Sequence, residues 1–181
     1  MKVLEGKFVR LRAPEPEDLE FLYQWENDTT VWQVSNTIAP FSRFTLKQYI
    51  ETSHLDIYET RQLRFMIDLF SSGLEATKTI GTIDLFDFEP YHNRAGIGIL
   101  IGDMTERGKG FANDALITLI RYAFSILKLH QLFCNISVEN EQSLHLFQSN
   151  GFVIIGEKKD WLKNAQDGWT GEYLLQLINP Q

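Results

Sequence analysis

The chain has 181 residues and a mass of 21.0 kDa, the size of one domain, and residues 1–181 read as a single unit. Apolar residues make up 44%, enough for one packed core without a disulfide or metal staple. A net charge of −7 with no Lys/Arg cluster argues against nucleic acid as a partner, and the lone Cys134 excludes an internal disulfide.

Taken in order, Lys7 to Arg12 reads as a short strand. Pro16, Glu17 and Asp18 then suit a first helical turn, and a helix is predicted to about Asn27. Thr45-Leu46-Lys47-Gln48 fits a capping box that opens a helix toward Tyr58. Leu63, Phe65, Ile67 and Leu69 alternate with polar neighbours, the pattern of a half-buried strand, and Ser71-Ser72-Gly73 turns the chain. Thr79 to Phe88 and Arg94 to Ile101 are two further strands, and the short links predict an antiparallel meander.

The apolar spacing then changes to that of an amphipathic helix from Phe111 to Leu127. A strand from Leu132 to Val138 follows, so this part is predicted to be a right-handed parallel crossover. A second helix, Glu141 to Ser149, stops at Asn150-Gly151, and Phe152 to Gly156 and Tyr173 to Ile178 complete the strands. The fold class is α+β, with a mixed, mostly antiparallel sheet flanked by helices. No apolar run approaches the ~20 residues of a membrane span, and the N-terminus lacks a secretory apolar stretch. No membrane association and a cytoplasmic location are therefore expected. His54, His92, His130 and His145 are too dispersed for a metal motif, so no metal is expected.

The most informative segment runs from Ile99 through Gly108 and Gly110 into the long helix. Two glycines before a helix N-terminus let backbone N–H groups approach an anion, and phosphate or pyrophosphate is the natural ligand. A tight turn that needs glycine for steric reasons explains the same residues. The spacing is neither Walker A nor a Rossmann fingerprint.

Arg107-Gly108-Lys109-Gly110-Phe111-Ala112 matches R/Q-x-x-G-x-G/A, and in this it resembles the Gcn5-related N-acetyltransferases (GNAT), which hold acetyl-CoA by that turn. Asn140-Glu141-Gln142-Ser143, Phe147 and Gly151-Phe152 are similar to the family's N-x-x-S/A…G-F segment. The opening Val9 to Asp18, with Trp25-Glu26-Asn27-Asp28 after it, resembles the RimJ/RimL and spermidine acetyltransferase branch.

The resemblance implies a sheet splayed between its fourth and fifth strands, with the pantetheine arm of acetyl-CoA along Ile99, Leu100 and Ile101. It further implies that Arg107, Gly108, Lys109, Gly110, Phe111 and Ala112 hold pyrophosphate, and that Asn140, Ser143 and Phe147 border the cofactor. A strand N–H at Leu100 or Ile101 would stabilise the oxyanion.

Two positions depart from the family pattern. Arg94-Ala95-Gly96 lacks the glutamate many relatives carry after Arg-Ala, and Phe147 stands where they carry tyrosine. Asp84 is then the expected base and Ser143 the expected acid. A solvated strand aspartate and a serine of a first helical turn are the plain structural alternatives. Glu26, Asp28 and Asp84 are expected to bind the acceptor amine. The implied reaction is direct attack of a primary amine on acetyl-CoA, with a polyamine such as spermidine as the foremost acceptor. An N-terminal peptide amine, or acetyl-CoA binding with little turnover, are the alternatives, and the resemblance makes a homodimer plausible.

Overall fold

The computed structural model describes residues 3–35, 37–70, 78–164 and 167–180, with Gln33 and Val34 for backbone only. The Ser71-Ser72-Gly73 turn lies outside the described residues. Among the described residues seven strands form one sheet: β1 (Val9–Arg12), β2 (Leu63–Leu69), β3 (Lys78–Glu89), β4 (Arg94–Ile101), β5 (Gln131–Ser137), β6 (Val153–Lys163) and β7 (Trp169–Ile178). Their spatial order is β1-β2-β3-β4-β5-β7-β6. Every neighbouring pair is antiparallel except β4 and β5, which are parallel.

Six helices accompany the sheet among the described residues: α1 (Leu19–Glu26), α2 (Thr29–Ser35), α3 (Arg43–Glu51), α4 (Ile57–Thr60), α5 (Phe111–Ser125) and α6 (Glu141–Ser149). A 3-10 turn, Pro16–Asp18, leads into α1. Helices cover both faces, which is why β2 is buried from Phe65 to Asp68 rather than half-buried as its alternation predicted. Ile67, Ile83, Leu85 and Ile97 pack with Leu116 and Leu119 of α5. Met66 joins Leu22, Trp25, Leu46 and Ile50 in a second core beneath α1 and α3.

Long-range polar ties fix these layers. The Asp114 carboxylate of α5 accepts the N–H groups of Lys7, Phe8 and Val9 at 3.0, 2.7 and 3.0 Å, seating β1 against that helix. Arg12 bonds Asp68 at 2.7 Å and Asp18 at 2.6 and 2.8 Å, joining β1, β2 and the first turn.

Four predicted boundaries are corrected. The helix predicted from Thr45 toward Tyr58 begins at Arg43, because Ser42 is the cap: its hydroxyl accepts from Thr45 N–H at 3.1 Å. It ends at Glu51, and Asp56 caps the separate short α4. Strand β6 runs on to Lys163 and β7 starts at Trp169, because they form a long hairpin whose polar residues hide its strand character.

Candidate active site

The parallel pairing of β4 with β5 covers only Arg94↔Gln131, Ala95↔Leu132 and Gly96↔Phe133. Beyond Gly96 the strands part, while β4 stays paired to β3 up to Ile101 and β5 to β7 up to Ser137. The separation leaves backbone N–H and C=O groups of both strands facing a gap, and such groups require partners. A cleft of about 620 Å³ opens there, floored by Ile97 to Leu100 and Cys134 to Ser137. The splay expected between the fourth and fifth strands is present.

One end wall comes from α6. Asn140 caps this helix, its Oδ1 accepting from Ser143 N–H at 3.1 Å. Ser143 and Phe147, one helical turn apart, both face the cleft. The Phe147 ring is buried and meets Phe152 edge-on at 5.1 Å.

A second wall is electrostatic. Residues Arg64, Thr82, Asp84 and Phe86 share one face of β2 and β3, with Arg64 directly across from Asp84. Arg64 grips Asp84 by Nε–Oδ1 at 2.6 Å and Nη2–Oδ2 at 3.0 Å, and its Nη1 donates to Glu26 at 2.6 Å. Burial opposes the Arg64 charge, yet its carboxylate partners, Asp84 foremost, carry the guanidinium above its ordinary value. The guanidinium lies 5.2 Å from the Tyr49 ring, whose hydroxyl is pushed up to about 12 by burial.

Phe86 explains the missing glutamate. It stands opposite Gly96, and a Cβ at Gly96 would lie 2.4 Å from its ring. The ring, edge-on to Phe133 at 6.1 Å, fills the space a longer side chain at residue 96 would need.

The glycine turn lies past the end of β4, beyond the cleft walls. Gly108 (φ 74°) and Gly110 (φ 86°) both adopt left-handed backbone, and a Cβ at either would meet nothing within 4 Å. Conformation demands these glycines, and space over the turn remains open. The N–H of Asp114 makes the first helical bond, to Gly110 C=O at 3.1 Å, so those of Phe111, Ala112 and Asn113 have no acceptor within the helix. The turn's side chains point elsewhere: Arg107 Nε donates to Ile101 C=O at 2.8 Å, and Lys109 pairs with Glu106 at 2.9 Å.

Asp28 is a correction. It does not line the cleft; its carboxylate caps α2, accepting from Thr30 N–H at 2.9 Å and Thr30 Oγ1 at 2.8 Å. Those bonds hold its carboxyl below the usual range. The sequence also left residues unassigned that the fold brings to the cleft: Arg64, Phe86, Lys158, Trp161 and Glu172. A charged residue between the apolar Leu63 and Phe65 was the available signal for Arg64. Lys158 and Glu172 fell outside the predicted strands, so their pairing had no signal.

A sheet unzipped at its parallel seam, with a glycine turn heading the next helix, defines a GNAT-type acyltransferase. The family profile for the Acetyltransferase (GNAT) domain matches residues 9–153, and the chain belongs to that family. The spermidine N(1)-acetyltransferase of Vibrio cholerae is 29% identical over 146 residues, which span 81% of this chain and 79% of that protein. An N-acetyltransferase called p20 from Bacillus licheniformis is 30% identical across 98% of this chain and 97% of its own. Among solved structures, the Vibrio cholerae spermidine N-acetyltransferase in complex with CoA and spermine superposes with a TM-score of 0.82. It is 24% identical, covering 94% of this chain and 95% of that one.

Proposed function

We propose that this acyltransferase moves the acetyl group of acetyl-CoA to a primary amine of a polyamine such as spermidine. The observation that carries the acceptor class is the pair of carboxylates, Glu26 and Asp84, that Arg64 holds on the cleft wall. Two fixed carboxylates beside an open seam suit a cationic amine. The spermidine acetyltransferases among the relatives support the same acceptor.

Acetyl-CoA fits the residues present. Backbone freed from β5 along Ile99 and Leu100 suits an amide-bearing pantetheine chain that runs toward Ile101, and the uncrowded turn from Gly108 to Ala112 suits pyrophosphate. When bound, acetyl-CoA supplies an activated thioester. The protein's share is to orient the amine, manage protons and offer a strand N–H, at Leu100 or Ile101, to developing negative charge. Arg64 occupies both oxygens of Asp84, so we assign Asp84 to holding the ammonium and relaying its proton through water. The Ser143 hydroxyl, at the end wall, passes a proton to the leaving sulfur and takes one back from water; Phe147 supplies shape alone. Cys134 borders the cleft, but burial pushes its thiol up to about 12, which leaves it protonated at neutral pH and favours direct transfer over an acyl-cysteine route. Self-association belongs to the same reading: the free edge of the sheet, β6, exposes Val153, Ile154 and Ile155.

Steady-state kinetics of Glu26→Gln and Asp84→Asn test the acceptor assignment. Each should raise KM for spermidine about tenfold or more, the weight of one charge-assisted hydrogen bond. Unaltered KM in both variants overturns it.

A further inference from the structure

The cleft wall facing Arg64 is built by the β6–β7 hairpin, and it holds an ammonium already. Lys158 and Glu172 are directly paired across the two strands. The Lys158 Nζ donates to a carboxylate oxygen of Glu172, donates to Asn135 Oδ1 at 2.9 Å, and sits 5.0 Å from the centre of the Trp161 ring. Carboxylate, amide oxygen and aromatic face are the three groups that recognise a protonated primary amine. Glu172 is the fixed member, with its side chain 7% exposed, whereas Lys158 is 31% exposed and reaches in from the solvent side.

The aromatic part is positioned by an irregularity in the strand. The β6–β7 register shifts between Lys158 and Leu162, and Asp160 adopts a left-handed φ of 49°. Such a bulge re-aims the residues after it, and Trp161 and Leu162 both face the cleft.

Building on the acceptor class proposed above, we propose that Glu172, Asn135 and Trp161 form a second ammonium subsite, filled here by Lys158. A polyamine's far ammonium enters it by displacing that side chain. Lys158 is a tethered competitor: it neutralises Glu172 when the cleft is empty and discounts the benefit of a second cation on the acceptor. The cleft walls carry Glu26, Asp84 and Glu172 against Arg64 and Lys158, so losing Lys158 leaves three carboxylates facing one cation.

Calorimetric binding of spermidine and of n-butylamine to the CoA-loaded protein tests this without turnover. Lys158→Met should raise the affinity ratio of spermidine over n-butylamine about tenfold, the weight of one charge-assisted hydrogen bond. Lys158→Met/Glu172→Gln, which restores the net charge of the unmodified cleft walls, should return the ratio to that of the unmodified protein. An unchanged or lowered ratio in Lys158→Met, or a gain that survives in the double variant, overturns the subsite. Acetylation of spermidine by unmodified protein, assayed alongside, separates the two ideas: its absence defeats the polyamine reading, whereas its presence with an unchanged ratio defeats the subsite alone.

Discussion

Arg64→Met removes the cation that holds two carboxylates on the cleft wall. In the native protein Arg64 makes bonds of 2.6, 3.0 and 2.6 Å, and the side chains of Arg64, Glu26 and Asp84 are only 15, 18 and 16% exposed. Three charge-assisted bonds at ~1.5–3 kcal/mol each would sum to about 4.5–9 kcal/mol, but desolvation of the guanidinium opposes that gain. Removing one partner of a buried pair costs about 3–5 kcal/mol, mostly through the charges it strands. Residual exposure lets water reach both carboxylates, so the lower end applies: a loss of about 3 kcal/mol. For a chain of this length that lowers Tm by about 6–12 °C. Urea unfolding of Arg64→Met, beside Arg64→Met/Glu26→Gln/Asp84→Asn, is the assay. The triple variant strands no charge and should recover much of the loss. A loss below about 1 kcal/mol in Arg64→Met refutes the claim that this arginine holds the wall together.

Gly96→Ala forces a Cβ to 2.4 Å from the Phe86 ring and should cost about 1–3 kcal/mol in urea unfolding. Gly96→Ala/Phe86→Ala should show coupling that relieves the clash, and strictly additive losses contradict it. Asp28→Ala should cost about 1 kcal/mol as a lost helix cap while leaving KM for the amine unaltered. Because its folded carboxyl titrates below the usual value, the native state releases that proton more readily than the unfolded chain. Its contribution is therefore full above the unfolded pKa of about 3.9 and disappears as pH falls through the folded value. An equal difference between Asp28→Ala and native protein at pH 7 and pH 2.5 contradicts that sign.

The strand and helix periods that define this fold are legible because each element buries one recurring face. Arg94–Ile101 and Glu141–Ser149 end where the sequence places them, and Gly151 has the left-handed φ of 88° that a helix stop requires. The glycine turn and the N-x-x-S segment are legible for a related reason, since they are local in sequence. The acceptor wall is not local. Arg64 meets Asp84 across a strand pair and Glu26 from a helix 38 residues away, so only the assembled sheet brings them together. Asp28 looked equivalent to Glu26 by proximity in sequence, yet α1 ends at Glu26 and Asp28 is used as the cap of the next helix, α2. Gly96 read as a missing base; the packed structure adds the reason, an aromatic ring already occupying the space.

Acetyl-CoA-dependent thiol release tests the central claim most directly, with spermidine, spermine and diamines assayed beside peptides bearing free N-termini. Selective turnover of the polyamines is the expected result. Turnover of the peptides alone, or no thiol release from either set by protein that binds acetyl-CoA, contradicts it.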